Sequence, residues 1–302
     1  MSVDAKITLK SKVDEIVVHS PHRDGIEGFD LDQSPDGMYS TGFTLRTIAR
    51  STGGIVGGTE LPVRDLVLPF HIQSTASASI EEQISRFRRL WGAPRNLHKV
   101  QWLYEGADDA RWLWLRLSRE IEFKEAIDWN VNEYAHAVVS AVAVDPMYES
   151  KPTTLLLDHP GGGGWQTVWV YASNPTDQPC WPEWSLIPNG TCKFRVPDLS
   201  WGQEQDIDLS WTVNEFDDRM IEIAPGGNGI GVNWSIMSDP LQDTYVAANL
   251  SNAAGQMGGV MPLFPIPPHT KKTLIPVQFN GSTSAKVEMN LRRFWSAESG
   301  MR

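Results

Sequence analysis

One stretch of this chain carries the apolar repeat of an amphipathic helix, with residues at both ends that mark where the helix begins and stops. The repeating apolar positions are Ile80, Ile84, Phe87 and Trp91. Ser79, followed by Glu82 three residues later, matches the capping box that satisfies the first free N–H groups of a helix. Gly92 comes directly after the last apolar position, where helices commonly end. The sequence therefore predicts one helix over about residues 79–91.

Most of the remaining chain alternates between apolar and polar residues, which is the pattern of strands that bury one face. The alternation is clearest at 66–72, 100–104, 207–213 and 287–291. Residues 111–117 are apolar on both faces, which predicts a strand sandwiched in a core or packed against another subunit. Pro69 has no N–H to offer a neighbouring strand, so it favours an edge position for its strand. The predicted fold class is mainly β.

Two domains are expected from the length of the chain and from a run of glycines near its middle. A domain usually takes ~150 residues, and the chain has 302. Residues 161–164 are all glycine, and four successive glycines are costly to hold in regular structure. We place the boundary within 153–164. Residues 1–153 then form a domain of strands with one helix, and residues 154–302 form a β-sandwich of strands alone.

The charge balance and the motif search both argue against a catalytic or nucleic-acid-binding protein. A net charge of −11 works against a surface that grips nucleic acid, because phosphates are held by clustered Lys and Arg. The glycine-rich runs do not fit phosphate-loop spacing, and neither a nucleophile elbow nor a zinc-protease motif occurs. We therefore expect no catalytic residues, no cofactor and no metal site.

The termini and the two cysteines favour a protein assembled in a reducing compartment. The N-terminus lacks the basic start and apolar core of a signal peptide, and the apolar stretch at 135–144 is too short to span a bilayer. A tight turn expected at 188–191 would place Cys192 opposite Ile187 and away from Cys180. We therefore expect two free thiols, as in a protein assembled in a reducing cytoplasm.

Several segments, taken in order, resemble the distal tail protein family of long-tailed phages, specifically the minor tail proteins of phages that infect actinobacteria. In the first half they are 64–72, 87–91, 111–113 and 143–148. In the second half they are 174–175, 181–184, 207–209, 268–270, 275–277 and 291–295. Each segment is short, and the resemblance depends on their order and spacing along most of the chain.

This resemblance implies a structural protein of the virion. The first domain would be similar to tail-tube proteins, and the second would be a galectin-like β-sandwich. Members of the family form a ring, here a homohexamer, at the distal end of the tail. The expected partners are other copies of the chain, the tail tube protein, the tape measure protein, and the hub or receptor-binding fibre proteins of the baseplate. DNA would pass through the ring, whose acidic wall would not hold phosphates.

A glycine-rich segment is the candidate contact between subunits of such a ring. Gly53, Gly54, Gly57 and Gly58 lie in a segment bounded by expected strands. Ring closure needs edges and loops that pair between copies. We therefore expect these glycines to form a loop that orders against a neighbouring subunit, the alternative being a simple hairpin tip.

The alternative function is carbohydrate binding by the second domain. The run Trp201-Gly202-Gln203-Glu204 is similar to part of the galectin sugar motif, in which Trp stacks on the sugar and Glu accepts its hydroxyls. Asp206 stands where that motif has a basic residue. Trp201 and Glu204 are therefore the candidate sugar contacts of a tail adhesion module.

Overall fold

The computed structural model describes residues 5–22, 26–32, 38, 44–49, 54–106, 109–124, 128–225, 231–240 and 242–301. The chain divides into two compact units. Unit 1 comprises Met1–Lys151 together with Trp295–Met301, and unit 2 comprises Pro152–Phe294. The C-terminal segment Trp295–Met301 thus belongs to unit 1. The second domain predicted from the sequence instead includes all of 154–302.

The elements follow one another in chain order. The first are β1 (Lys6–Lys10), β2 (Glu15–His19), β3 (Phe29–Leu31), β4 (Thr44–Ala49), β5 (Gly54–Glu60), β6 (Arg64–Gln73), α1 (Ile80–Trp91), β7 (Gly92–Ala93), β8 (Asn96–Leu97), β9 (Val100–Glu105), β10 (Arg111–Leu117), β11 (Glu122–Phe123), α2 (Trp129–Asn132), β12 (Tyr134–Ala143) and β13 (Tyr148–Asp158). The others are β14 (Gln166–Asn174), β15 (Pro182–Ile187), β16 (Cys192–Pro197), α3 (Glu204–Ile207), β17 (Met220–Ile223), β18 (Trp234–Met237), β19 (Tyr245–Ala247), α4 (Ala253–Gln256), β20 (Thr270–Gly281) and β21 (Lys286–Trp295). The chain is mainly β, as predicted.

Unit 1 is built from two groups of antiparallel strands and helix α1. In one group β2, β1, β9 and β10 pair in that order, and the start of β13 pairs with β10. In the other group β12 pairs with β6 and β11, and β3 pairs with the far side of β6. The groups join where β10 pairs with the end of β12. The predicted strands at 66–72, 100–104 and 111–117 are confirmed as β6, β9 and β10.

Helix α1 confirms the predicted helix, including its capping box. The Glu82 N–H donates to the Ser79 hydroxyl at 3.3 Å, and the Ser79 N–H donates to the Glu82 carboxylate at 2.9 Å. On the buried face, the ring of Phe87 lies 5.9 Å from Phe29 and 5.2 Å from Phe70. Such aromatic pairs add ~0.5–1.5 kcal/mol each beyond the burial of their area. They hold the helix over strands β3 and β6.

The predicted edge position of Pro69 is wrong, because β6 has a partner strand on each side. Pairing with β3 ends at Leu31 opposite Phe70, so β3 stops one residue before it would meet Pro69. The Pro69 carbonyl accepts the Asp32 N–H at 3.1 Å on that same side. The missing N–H of proline therefore faces a position where no ladder bond is required.

An ion pair connects the β1–β2 turn to helix α1. The Arg86 guanidinium donates to both oxygens of Asp14, at 2.9 and 3.2 Å. Burial alone would raise the pKa of Asp14, but hydrogen bonds from Arg86 and from the Glu15 N–H outweigh it and lower that pKa. The carboxylate therefore stays ionised to lower pH in the folded chain than in the unfolded chain.

Replacing Asp14 by asparagine is expected to lower the free energy of unfolding at pH 7 by about 1–2 kcal/mol, because a charge-assisted pair is lost. The contribution of the carboxylate is complete above its unfolded pKa of about 3.9 and disappears as the pH falls through the lower folded pKa. The difference from wild type should therefore shrink below about pH 4 in urea titrations. Asp65→Asn, at an exposed position of β6, is the control; a gap that persists at low pH contradicts the assignment.

Unit 2 contains two antiparallel sheets that share one hydrophobic core. In one sheet β19, β18, β15 and β21 pair in order, and in the other the order is β14, β20, β16 and β17. The first sheet buries Trp184, Trp234 and Met289, and the second buries Phe194 and Phe279, all within the same cluster. The predicted strand at 287–291 is confirmed as part of β21.

The strand predicted at 207–213 is wrong. Helix α3 ends at Ile207, and residues 208–213 form turns. Leu209 is 86% exposed, so the alternating residues do not share a buried face. Trp211 instead packs its ring 4.9 Å from Phe216. The alternation is real, but none of the described strands pairs with this segment. A strand is stable only when a partner satisfies its backbone groups.

Both cysteines are free and buried, although the reason inferred from the sequence is wrong. Residues 188–191 do not close a hairpin, because they lead from β15 in one sheet to β16 in the other. Cys192 therefore does not lie opposite Ile187. The Cys180 thiol donates to the Arg292 carbonyl at 3.1 Å. Burial raises the pKa of Cys180 to about 11, which keeps this thiol protonated.

The C-terminal segment is held against unit 1 by two buried arginines. Arg111 is fully buried; its guanidinium lies 3.7 Å over the Trp295 ring and donates to the carbonyls of Ala297 at 2.8 Å and Gly300 at 2.7 Å. Arg64 donates to the Ser296 carbonyl at 3.0 Å. Because guanidinium groups present several donors in a fixed plane, they suit a turn whose carbonyls point inward.

Candidate functional site

The glycine-rich segment predicted as an inter-subunit loop is a strand in the structure. Gly54, Gly57 and Gly58 lie in β5, which pairs along its length with β4; Gly53 lies outside the described residues. The loop prediction was wrong because glycines lack side chains but still pair through their backbone when a partner strand precedes them. Among the described strands, β4 and β5 pair only with each other. The role of this hairpin between subunits stays a prediction.

The two predicted sugar contacts, Trp201 and Glu204, are three residues apart in the sequence, but the fold does not expose them on one surface. Glu204 is fully buried at the start of α3, and its carboxylate accepts the Phe216 N–H at 3.3 Å. Its hydrogen bonds to Ser200 and to backbone N–H groups outweigh desolvation and lower its pKa. Trp201 is half-buried and packs against the core of unit 2. The assignment of Glu204 as acceptor of sugar hydroxyls is therefore wrong.

An open groove lies in unit 1. Its volume is about 790 Å³. The end of helix α1, the small β7–β8 hairpin and the segment after β10 supply its walls. The lining residues are Arg88, Arg89, Gly92, Ala93, Pro94, Leu97, His98, Leu117, Ser118, Arg119, Glu120 and Ile121. We call this feature the basic groove.

The basic groove has an apolar floor and a cationic rim. Leu97 is 36% exposed, and Leu117 and Ile121 are half-buried. Arg88 and Arg119 are exposed, and the Arg88 guanidinium lies 4.7 Å over the Phe123 ring, which orients it. No single sequence pattern marked this groove, because its walls come from three segments that meet only in the folded unit. The arginines at the end of the helix were the only local signal.

A second group of polar side chains lies on the outer face of β6 and β12. His71 and His136 are directly opposite each other in the register of these strands. The Asp32 carboxylate lies 3.2 Å from His71 Nε2 and 3.5 Å from His136 Nε2, and His71 Nδ1 is hydrogen-bonded to the Tyr134 hydroxyl. These contacts connect the end of β3 to the sheet. We interpret these contacts as structural, because they stabilise the packing of these strands.

Two negative findings concern the part of the chain that the structure describes. Within those ranges, no three His, Cys, Asp or Glu side chains form a group suited to a metal ion. No helix in the described ranges combines the length and apolar character needed to cross a membrane.

One solved phage protein has a fold similar to that of this chain. The crystal structure of the SPP1 Dit protein, described as a paradigm of the hub adsorption apparatus in phages infecting Gram-positive bacteria, is similar with a TM-score of 0.53. The two chains are 12% identical, with 95% of this chain and 98% of that chain covered. The phage P2 baseplate in its activated conformation gives TM-scores of 0.48 with Ca and 0.49 with Sr, each at 10% identity with 96% and 98% covered. No protein-family model and no curated protein matches the sequence.

Proposed function

We propose that this chain is a structural component of the tail tip of a long-tailed phage. The observation that carries the proposal is the likeness of fold to a hub protein over nearly the full length of both chains. A local likeness would point only to a common sheet motif, whereas this one covers 95% of the chain and so includes residues of both units. The order of sequence segments described above points independently to the same class of protein.

In this proposal the chain forms a ring, most simply of six copies, that joins the tail tube to the baseplate. Unit 1 takes the role of a tail-tube-like ring domain, and unit 2 that of an outward galectin-like sandwich. The partners are the tail tube protein, the tape measure protein, and the hub or receptor-binding proteins of a phage that infects actinobacteria. The ring assembles in the host cytoplasm and ends in the virion.

The acidic balance of the chain suits a ring through which DNA passes. The chain has 37 Asp and Glu residues against 26 Lys and Arg residues, which gives a net charge of −11. Tight nucleic-acid binding depends on the release of counterions by clustered Lys and Arg. A wall with excess carboxylates therefore lets the genome slide without adhering to it.

The test of this function is imaging of the particle. Nanogold directed to a tagged copy of the chain should lie at the distal end of the tail in cryo-electron micrographs. Virions that carry the untagged chain control for adventitious gold. Gold on the capsid, or particles with normal tails in a phage that lacks the gene, would contradict a tail-tip role.

The β4–β5 hairpin gives a more specific prediction about assembly. Deleting residues 53–58 removes most of β5, and the described strands outside this hairpin do not pair with it. The monomer should therefore keep its circular dichroism spectrum and melting temperature within about 2 °C, while ring formation is lost. Negative-stain microscopy and light scattering measure the outcome. Rings formed by the deletion variant would remove this segment from the interface.

A further inference from the structure

The basic groove stands out because its charge opposes that of the whole chain. Its lining includes three arginines, Arg88, Arg89 and Arg119, and one carboxylate, Glu120. Arg89 also lies 3.8 Å from the Asp14 carboxylate, so Arg88 and Arg119 are the cations that face the groove without that ion pair. The chain as a whole carries a net charge of −11. A concave surface that concentrates one sign of charge over apolar walls selects a ligand of the opposite sign. The ligand that fits is a peptide segment with carboxylates flanking apolar side chains.

The described part of the chain contains such a segment, the stretch 206–209 after the start of α3. Leu209 is 86% exposed and Ile207 is 47% exposed. Asp206 and Asp208 alternate with them and are also exposed. The Ser210 N–H donates to the Asp208 carboxylate at 2.8 Å, which keeps this acid charged and oriented. A partner that covers these two apolar side chains removes their area from water, and the flanking carboxylates supply the charge that an arginine rim attracts.

We propose that the basic groove of one copy takes up segment 206–209 of a second copy of this chain. Leu209 and Ile207 then cover the floor formed by Leu97, Leu117 and Ile121, and the two aspartates meet the arginine rim. A groove on one surface that receives a different surface of the next copy is a heterologous contact, which gives a ring when the rotation between copies closes and an open filament when it does not. The inference thus deepens the proposed function and rests on it for the biological role of the contact.

The first test uses a synthetic peptide of residues 203–212, labelled at its N-terminus, with the purified full-length protein. Fluorescence anisotropy should show saturable binding that weakens several-fold between low and physiological salt. The double variant Arg88→Glu with Arg119→Glu should weaken binding at least tenfold. Arg95→Glu, at the tip of the β7–β8 hairpin outside the groove, is the matched control. Equal binding by all three proteins, or no binding by the wild type, overturns the proposal.

The second test uses two full-length variants, each with one cysteine added at the proposed contact. The protein carrying Leu97→Cys is mixed with the protein carrying Leu209→Cys under mild oxidation. The two native cysteines are buried and do not compete. A disulfide-linked dimer should form at least tenfold faster than in the control mixture of Leu97→Cys with Leu250→Cys, since Leu250 is 89% exposed. Equal rates in the two mixtures overturn the contact.

The outcomes separate this inference from the proposed function. If imaging places the chain at the tail tip but neither peptide nor cross-link responds, the second-copy contact fails and the structural role stands. If both assays respond but the chain is absent from the tail end, the contact stands and the tail-tip role fails. A groove variant that blocks tail assembly while cross-linking is unchanged points to a different acidic partner and overturns the second-copy assignment.

Discussion

Replacing Asn174 by aspartate is expected to lower the free energy of unfolding by about 3–5 kcal/mol, since a buried donor becomes a buried charge. Asn174 has no exposed surface. Its amide nitrogen donates to the carbonyls of Gln178 at 2.8 Å, Pro267 at 3.0 Å and Ile266 at 3.1 Å. An aspartate would place one carboxylate oxygen, in the position of the amide nitrogen, against these three carbonyl oxygens with no hydrogen between them.

The hydrogen bonds accepted by the Asn174 side-chain oxygen can be separated experimentally from those donated by its nitrogen. Its oxygen accepts the Thr176 hydroxyl at 2.8 Å and the Thr176 N–H at 3.2 Å, contacts that an aspartate can keep. Asn174→Ala loses both sets and should cost about 2–4 kcal/mol, without a buried charge. Aspartate should therefore be no better than alanine, although it resembles asparagine in shape.

Chemical unfolding followed by tryptophan fluorescence is the measurement for this series. Unit 2 buries Trp184 and Trp234 and unit 1 buries Trp91, Trp102 and Trp295, so the signal reports on the unfolding of both units. Asn233→Ala, at an exposed position of the same unit, should remain within about 0.5 kcal/mol of wild type. If Asn174→Asp proves as stable as wild type, the hydrogen bonds from the Asn174 amide to the segments around Gln178 and Ile266 do not stabilise the fold.

Replacing Arg111 by alanine is expected to release the C-terminal segment and to lower the free energy of unfolding by about 3–5 kcal/mol. Hydrogen bonds from charged groups contribute ~1.5–3 kcal/mol each, and Arg111 makes two to the carbonyls of Ala297 and Gly300. The stacked contact with Trp295 adds ~1–2 kcal/mol in a desolvated setting. Because these terms share one side chain, their sum is an upper bound.

The variants at Arg111 distinguish its geometry from its charge. Lysine keeps the charge but cannot reach two carbonyls in one plane, so Arg111→Lys should recover less than half of the loss. Arg116→Ala, on the exposed face of the same strand, should leave stability unchanged within about 0.5 kcal/mol. Limited proteolysis gives a second readout, since residues 296–301 should be cleaved first in Arg111→Ala. Full protection of that segment in Arg111→Ala would contradict the role of Arg111 in holding it.

Features set by neighbouring residues could be predicted from the sequence. Helix α1 is the clearest example, because Ser79, Glu82 and Gly92 act within one turn of the residues they cap. The alternation at 287–291 likewise predicted strand β21, where every second residue is buried. In both cases the period of the apolar side chains matches a face that the fold buries.

Features that need a distant partner could not be predicted. The alternation at 207–213 is as regular as that of β21, yet none of the described strands pairs with it, and Ile207, Leu209 and Val213 are exposed. Pro69 occupies an internal strand because β3 happens to end one residue short of it. Glu204 matched a sugar motif in sequence, but the fold turns its carboxylate towards the Phe216 backbone.

The sequence by itself determined the mainly β character, helix α1 and the absence of a recognisable catalytic motif. All three depend on short-range periodicity and on which residue types are present. The expectation of strands alone in the second domain is wrong, because the short helices α3 and α4 lie in unit 2. Only the tertiary structure decided which strands are internal, that residues after Trp295 return to unit 1, and that three separate segments form the basic groove. The physical reason is that pairing, burial and ionic contacts join residues far apart in the chain, and no local pattern encodes which partner each residue meets.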